Sequence, residues 1–121
     1  MSLTREEAIA EHRKMWRWIA EEIEKRKILL GIWYIKKIYL AQNRFIEPIK
    51  NDCFLCGYAS RCEECPLDWG RVKKGLPCEG DIWSDNEENY GLWWKCQSAK
   101  TWQEQAAIAR QIAELPERED V

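Results

Sequence analysis

The sequence predicts a mainly α-helical fold in which a long N-terminal helical part packs against a C-terminal helix, with an irregular metal-binding loop inserted between them. Three observations predict it. Apolar residues recur at steps of three and four at both ends of the chain, the middle lacks this period, and the middle holds five of the six cysteines. At 121 residues with 45% hydrophobic content, residues 1–121 are expected to form a single domain.

The N-terminal helical part is expected over residues 4–45. Thr4 and Glu7 have the spacing of a capping box, in which each side chain bonds the backbone N–H of the other residue. Beyond this start, apolar residues at helical spacing form a stripe along one face of the helix. The predicted stripe contains Ile9, His12, Trp16, Ile19, Ala20, Ile23, Lys27 and Leu30.

Gly31 interrupts this helix at a cost of about 1 kcal/mol relative to Ala. The following residues could form a strand by composition, but Lys36 and Lys37 would then fall on opposite faces, so neither face would be apolar. The segment is therefore predicted to be a second helix, or a bent continuation of the first, that ends before Pro48. Its stripe contains Ile28, Ile32, Ile35 and Tyr39.

Residues 47–91 carry turn-rich sequence and three of the four prolines, and no periodic pattern persists there. Because a long loop inside a compact domain needs something to organise it, the cysteines are the obvious candidates. The helical period returns in a C-terminal helix expected over 85–115, where Cys96 is predicted to be a small core residue. The stripe of this helix contains Leu92, Cys96, Ala99, Trp102, Ala106, Ala109, Ile112 and Ala113.

Two C-x2-C pairs predict a structural zinc site with four thiolate ligands, Cys53, Cys56, Cys62 and Cys65. The first pair is followed by a glycine and is typical of a zinc knuckle. The second is followed by Pro66, which has no N–H to donate to a thiolate, so Cys65 is expected at a turn or a helix start. The separation between the pairs is short, and Cys78 is therefore the alternative ligand.

Several other chemistries compete with zinc. An iron–sulfur cluster is the alternative cofactor, although the spacing is not that of bacterial ferredoxins. A redox-active C-x-x-C is disfavoured because no parallel-sheet pattern surrounds it. No Gly-rich phosphate loop, nucleophile elbow or zinc-protease motif is present, so an enzyme is not expected. His12, the only histidine, is expected to be a half-buried packing residue.

The charge is unevenly distributed along the chain. Residues 1–50 carry 11 Lys and Arg against 7 Asp and Glu, whereas residues 51–121 carry 8 against 14. The basic excess of the 25–50 helical face leaves nucleic-acid binding open as an alternative function, beside the simpler interpretation of a solvated face. The basic residues concerned are Lys25, Arg26, Lys27, Lys36, Lys37, Arg44 and Lys50.

Eight Trp are more than one small core needs, and neighbours such as Trp93 and Trp94 cannot share a helix face. Some indoles are therefore expected to cover the metal loop or to form a surface that binds a protein partner. The start of the chain has no secretory signal, and no apolar run could cross a bilayer. A cytoplasmic protein without a membrane partner is expected.

Five segments, HRKMWRWIA, NDCFLCGYA, CEECPLDW, YGLWWK and AELPERED, together resemble a group of small cysteine-rich phage or prophage proteins from low-GC Gram-positive bacteria. The resemblance covers nearly the whole chain. It implies an intracellular, phage-related origin, in the cytoplasm of a bacterial host cell, and cysteine-dependent metal binding through Cys53, Cys56, Cys62 and Cys65, with Cys78 as a further candidate ligand. It implies no particular activity, so the function of the chain stays open at this point.

Overall fold

The computed structural model describes residues 4–43, 65–70, 78, 80 and 90–118. This part of the chain is mainly helical and contains no β-strand, and its helices from the two ends of the chain pack together. These features of the predicted fold are confirmed. The helices are α1 (Arg5–Arg26), α2 (Ile32–Gln42), α3 (Leu92–Gln97) and α4 (Trp102–Ala113).

Helix α1 begins and ends where its local sequence directs. The predicted capping box is present: Thr4 Oγ1 accepts from the Glu7 N–H, and Glu7 Oε1 accepts from the Thr4 N–H, each at 3.1 Å. The helix ends at Lys27, whose φ of 55° is left-handed and whose N–H donates to Ile23 O. The predicted stripe is buried as far as Ile23. Extending it to Lys27 and Leu30 was wrong, because the helix has ended by then.

The segment after Gly31 is a separate helix, α2, and the predicted positions Ile32, Ile35 and Tyr39 are buried. Ile28 was wrongly included in this stripe. It lies in the connection between α1 and α2, outside either helix, and 54% of its surface is exposed.

Where the sequence predicts one helix over 85–115, the structure has α3 and α4 with a break between them. The break arises because Thr101 is the N-cap of α4, and its Oγ1 accepts from the Glu104 N–H at 3.2 Å. The predicted stripe nevertheless contributes to the core. Its buried members are Cys96, Ala106, Ala109, Ile112 and Ala113.

Polar side chains of α1 satisfy the C-terminal carbonyl groups of α4. His12 Nε2 donates to Ile112 O at 2.9 Å, and Arg13 Nη1 donates to Ala113 O at 2.8 Å. Because the last carbonyls of a helix lack partners within that helix, these donors replace water at a packed end and complement the helix dipole. The apolar face between α1 and α4 contains Met15, Trp16, Ile19, Ala109, Ile112 and Ala113.

A buried glutamine joins the α1–α2 connection to α3 and α4. Gln105 Oε1 accepts from the Leu30 N–H at 2.8 Å, and its Nε2 donates to Leu30 O at 2.9 Å and to Cys96 O at 3.1 Å. A second glutamine, Gln97, accepts from the Ile32 N–H at 2.9 Å and so satisfies a first-turn donor of α2. These side chains fix where α2 starts.

We expect Gln105→Leu to lower the free energy of unfolding by about 3 kcal/mol, because the Leu30 N–H and carbonyl both lose their buried partner. Urea denaturation of the full chain measures this. Gln103→Leu is the matched control, since Gln103 lies on the same helix and is exposed, and it should change stability by less than about 0.5 kcal/mol. Equal stability of the two variants would contradict the role assigned to Gln105.

Candidate functional site

The segment that contains Cys65 is pinned to the C-terminal end of the described chain. Leu67 and Glu117 form an isolated antiparallel bridge. On either side of it, the Asp68 N–H donates to Pro116 O at 2.9 Å and the Arg118 N–H donates to Pro66 O at 2.8 Å. This two-bond ladder, together with the burial of Leu67, fixes residues 66–68, in the middle of the cysteine-rich region, on the helical body.

Cys65 itself is partly buried and packs against the hydrophobic core. Its carbonyl accepts from Arg118 Nη1 at 3.4 Å, so a guanidinium lies beside a predicted thiolate ligand. Cys65 and Pro66 are not helical, and Pro66 lies at a bend. The other residues of this C-x2-C pair, 62–64, lie outside the described residues, so the expectation of a turn rather than a second knuckle stays a prediction.

Cys78 is fixed to the same helical body through residues at the start of α3. Its carbonyl accepts from the Trp93 N–H at 2.9 Å, and Gly80 forms an antiparallel bridge with Tyr90. Gly80 has φ of +70°, which a residue with a side chain rarely adopts. Like Cys65, Cys78 is partly buried against the core.

The zinc site stays a prediction. Cys53, Cys56 and Cys62 lie outside the described residues, so the structure positions only Cys65 and the alternative ligand Cys78. In the described ranges, no three His, Cys, Asp or Glu side chains are grouped so that they could hold a metal ion. The sequence did not indicate that both cysteines would be held through their backbone carbonyls by donors from the C-terminal part of the chain.

Cys96 is the core residue that the sequence predicts. It is fully buried, and its Sγ donates to Gln105 O at 3.6 Å. Burial raises the pKa of the Cys96 thiol to about 12. A thiol in this environment stays protonated at physiological pH and is poorly suited to bind a metal.

His12 is more deeply buried than expected. It is completely enclosed, and its ring lies 5.7 Å from the Trp69 ring and 6.4 Å from the Trp16 ring, measured between centroids. Its Nε2 must carry the proton, because it bonds the Ile112 carbonyl. Among the described residues no group bonds Nδ1. The ring therefore acts chiefly in packing α1 against α4 and the Cys65 segment.

Four large apolar side chains are exposed where α1 gives way to α2. Ile28 is 54% exposed, Leu29 and Trp33 are each 45% exposed, and Tyr34 is 71% exposed. We call Ile28, Leu29, Trp33 and Tyr34 the apolar surface. A partner-binding surface was one of the two interpretations of the high Trp content. The sequence did not indicate that Ile28 would belong to such a surface, because its spacing placed it in a helical stripe. Adjacent exposed apolar residues of this size typically mark an interaction site.

The apolar surface is backed by a stack of aromatic rings. The Trp33 ring meets the Trp93 ring edge-on at 4.9 Å, and Trp93 stacks on Trp94 at 5.8 Å. Lys36 Nζ lies 5.6 Å from the centre of the Trp93 ring, and only 2% of Lys36 is exposed.

Lys36 was therefore wrongly placed on a solvent-facing basic face. Lys25, Arg26, Lys27 and Lys37 are exposed as expected, although Arg26 also pairs with Glu22 at 3.2 Å. Arg44 and Lys50 lie outside the described residues.

A cleft of about 550 Å³ lies between α1 and α2. Trp18 and Tyr39 line it with their rings 5.5 Å apart, and the Tyr39 hydroxyl donates to Glu11 Oε2 at 3.2 Å. Burial, reinforced by Glu11, raises the pKa of Tyr39. The cleft also contains Arg17, which is paired with Glu114 at 2.8 Å, and the carboxylate of Glu21. Charges of both signs line it, and no convergent set of free donors indicates a ligand.

The described helices include none with the length and apolar character that a bilayer span requires. A scan against protein-family models and searches of curated proteins and of solved structures find no match to this chain.

In the folded chain, with no chelator added, we expect iodoacetamide at about pH 8 to leave Cys96 unmodified, because the thiolate is the reactive form and burial keeps this thiol protonated. Peptide mass mapping measures the labelling of Cys96 with and without denaturant. Full labelling should require denaturant. Labelling of Cys96 in the folded chain as fast as in denaturant would show that the core around it opens.

Proposed function

We propose that this chain is a non-enzymatic protein-interaction module, in which a helical body presents the apolar surface to a protein partner and zinc stabilises the cysteine-rich part. The observation that carries the proposal is the exposure of Ile28, Leu29, Trp33 and Tyr34 within seven consecutive residues. Because these side chains are about half exposed or more, a partner that covers them recovers about 1 kcal/mol or more from each.

The apolar surface is rigidly held, which favours a binding role. Leu30 lies between Leu29 and Trp33 in the sequence, and its N–H and its carbonyl are both hydrogen-bonded to the Gln105 side chain. Ile32, the first residue of α2, is bonded to Gln97. Because the backbone is fixed before a partner arrives, little conformational entropy is lost on binding.

Two potential catalytic residues in the described part of the chain, His12 and Cys96, have structural roles instead, which supports a non-enzymatic module. His12 joins α1 to α4 through Ile112, and Cys96 is enclosed in the core. An all-thiolate zinc site would also lack the open coordination position that catalysis requires.

The zinc part of the proposal draws on the two C-x2-C pairs and on the fixed positions of Cys65 and Cys78. Both cysteines are partly buried against one core, so a metal held by them would link the loop to the helical body. The ligands would be Cys53, Cys56, Cys62 and Cys65, with Cys78 as the alternative. Such a site carries excess negative charge, which Arg118 beside Cys65 would partly offset. The metal would supply structural cross-linking only.

Nucleic-acid binding is the second candidate. Lys25, Arg26 and Lys27 are exposed and lie close in sequence to Trp33, a combination that can serve a phosphate backbone and a stacked base. The burial of Lys36 and the pairing of Arg26 with Glu22 reduce the charge available on this face. The protein-interaction proposal is therefore preferred.

We expect one zinc per purified chain and loss of far-UV CD signal on chelation. Zinc binding at such sites is worth about 10–16 kcal/mol, comparable with the whole stability of a domain. Cys65→Ser should abolish zinc binding, whereas Cys96→Ala should retain it. Cys78→Ser decides whether Cys78 belongs to the ligand set. A metal-free, normally folded protein would contradict the proposal, and a brown protein with broad visible absorption would indicate an iron–sulfur cluster.

We expect Leu29→Ser and Trp33→Ser to abolish capture of a partner from bacterial lysate, because they remove exposed anchors. Ala107→Ser, at an exposed position of α4, is the control and should capture normally. The captured protein is then purified and its binding measured directly by calorimetry. Capture that is unaffected by the two substitutions would contradict the proposal. Salt-sensitive binding of DNA or RNA that depends on Trp33 would favour the second candidate.

A further inference from the structure

The stretch of sequence that contains the apolar surface carries charge of one sign. From Lys25 to Asn43 it has five Lys or Arg and no Asp or Glu. Lys25 and Lys27 are exposed immediately before Ile28, and Lys37 is exposed one turn after Trp33. The apolar surface is therefore flanked by cations on both sides along the chain.

Two carboxylates of α1 near this stretch are paired. Glu22 pairs with Arg26 and offsets that one charge, whereas Glu24 pairs with Arg110 on α4 rather than with Lys25 or Lys27. Helix α2 adds to the positive potential, since its first turn has no acidic residue and Gly31 provides no side-chain cap. The buried Lys36 ammonium lies over the Trp93 ring, and the Trp93 ring in turn contacts the Trp33 ring.

We propose that the apolar surface binds an acidic amphipathic segment of another protein, in which apolar side chains are flanked by Asp or Glu. The inference rests on the proposed function and names the chemistry of the partner. Apolar anchors of the segment pack on Ile28, Leu29 and Trp33, and its carboxylates face Lys25 and Lys27. Complementary charge accelerates association and rejects basic segments, while the anchors determine how slowly the complex dissociates.

A second copy of the chain fits this surface poorly. Two-fold pairing would use the same patch on both subunits, so that the Lys25 and Lys27 charges of both copies would be gathered in one interface. Like charges gathered in this way oppose association.

Nucleic acid also fits the surface less well than a peptide. Single strands bind on aromatic rings with cations alongside, whereas half of the apolar surface is formed by Ile28 and Leu29. Branched aliphatic side chains do not stack on bases. They do match the apolar anchors of an amphipathic segment.

Selection from a display library of random peptides of about 16 residues, long enough for several anchors at helical spacing, tests the inference. The bait is the full chain loaded with zinc, and the Trp33→Ser chain is the counter-bait. We expect enriched peptides to carry aromatic or aliphatic anchors flanked by Asp and Glu. An enriched peptide should bind about thirtyfold more weakly to Trp33→Ser, the loss typical of a hot-spot tryptophan.

Charge reversal provides the second arm. Lys25→Glu should lower the affinity for the enriched acidic peptide. It should raise the affinity for a version of that peptide in which Lys replaces each Asp and Glu. Lys14→Glu is the matched control, because Lys14 is also exposed on α1 but lies in the cleft against α2. The control should leave both affinities unchanged. Raising the salt concentration should weaken binding of the acidic peptide, mainly by lowering the association rate constant. Circular dichroism verifies that each variant is folded.

The outcomes separate the two proposals. Trp33-dependent enrichment of neutral or basic peptides, or equal effects of Lys25→Glu and Lys14→Glu, would overturn the acidic partner and leave the interaction module standing. Absence of any Trp33-dependent peptide would overturn both. Sedimentation showing a dimer that Trp33→Ser dissociates, or single-stranded DNA binding that Trp33→Ser abolishes, would replace the acidic segment with a second copy or with nucleic acid.

Discussion

The reciprocal hydrogen bonds between the Gln105 amide and the backbone of Leu30 are the constraint on which the rest of the structure depends. The chain between α1 and α2 leaves the helical hydrogen-bond pattern, and its backbone groups need partners once they are buried. One side-chain amide supplies both a donor and an acceptor, and it also bonds Cys96 O. The N-terminal helices are thereby fixed to α3 and α4, and the start of α2 is determined.

The same constraint explains why large apolar residues remain in water. Ile28 and Leu29 lie between two fixed points, since the Lys27 N–H is bonded to Ile23 O and both backbone groups of Leu30 are bonded to Gln105. The surface is also joined to the cysteine-rich region, because Trp93 supports the Trp33 ring and donates its N–H to Cys78 O. In the proposed function, a stabilised loop and a fixed binding surface thus share one structural support.

Local signals in the sequence account for the correct part of the fold prediction. The capping box at Thr4 and the stripe as far as Ile23 involve neighbours within one or two turns, so they could be read directly. The same T-x-x-E signature at Thr101 was available and would have divided the predicted C-terminal helix into α3 and α4. Continuous apolar spacing across the break concealed it, since both helices contribute buried residues to one core.

The sequence by itself determined a helical protein with a cysteine-rich middle, a buried Cys96 and more indoles than the core requires, because helical period, capping and composition are local properties. Only the tertiary structure decided that Lys36 is buried against Trp93, and that Cys65 and Cys78 are held by the C-terminal part of the chain. Gln105 and Leu30 are separated by 75 residues. The physical reason is that a polar group's partner across such a distance depends on how helices pack, which no local pattern specifies.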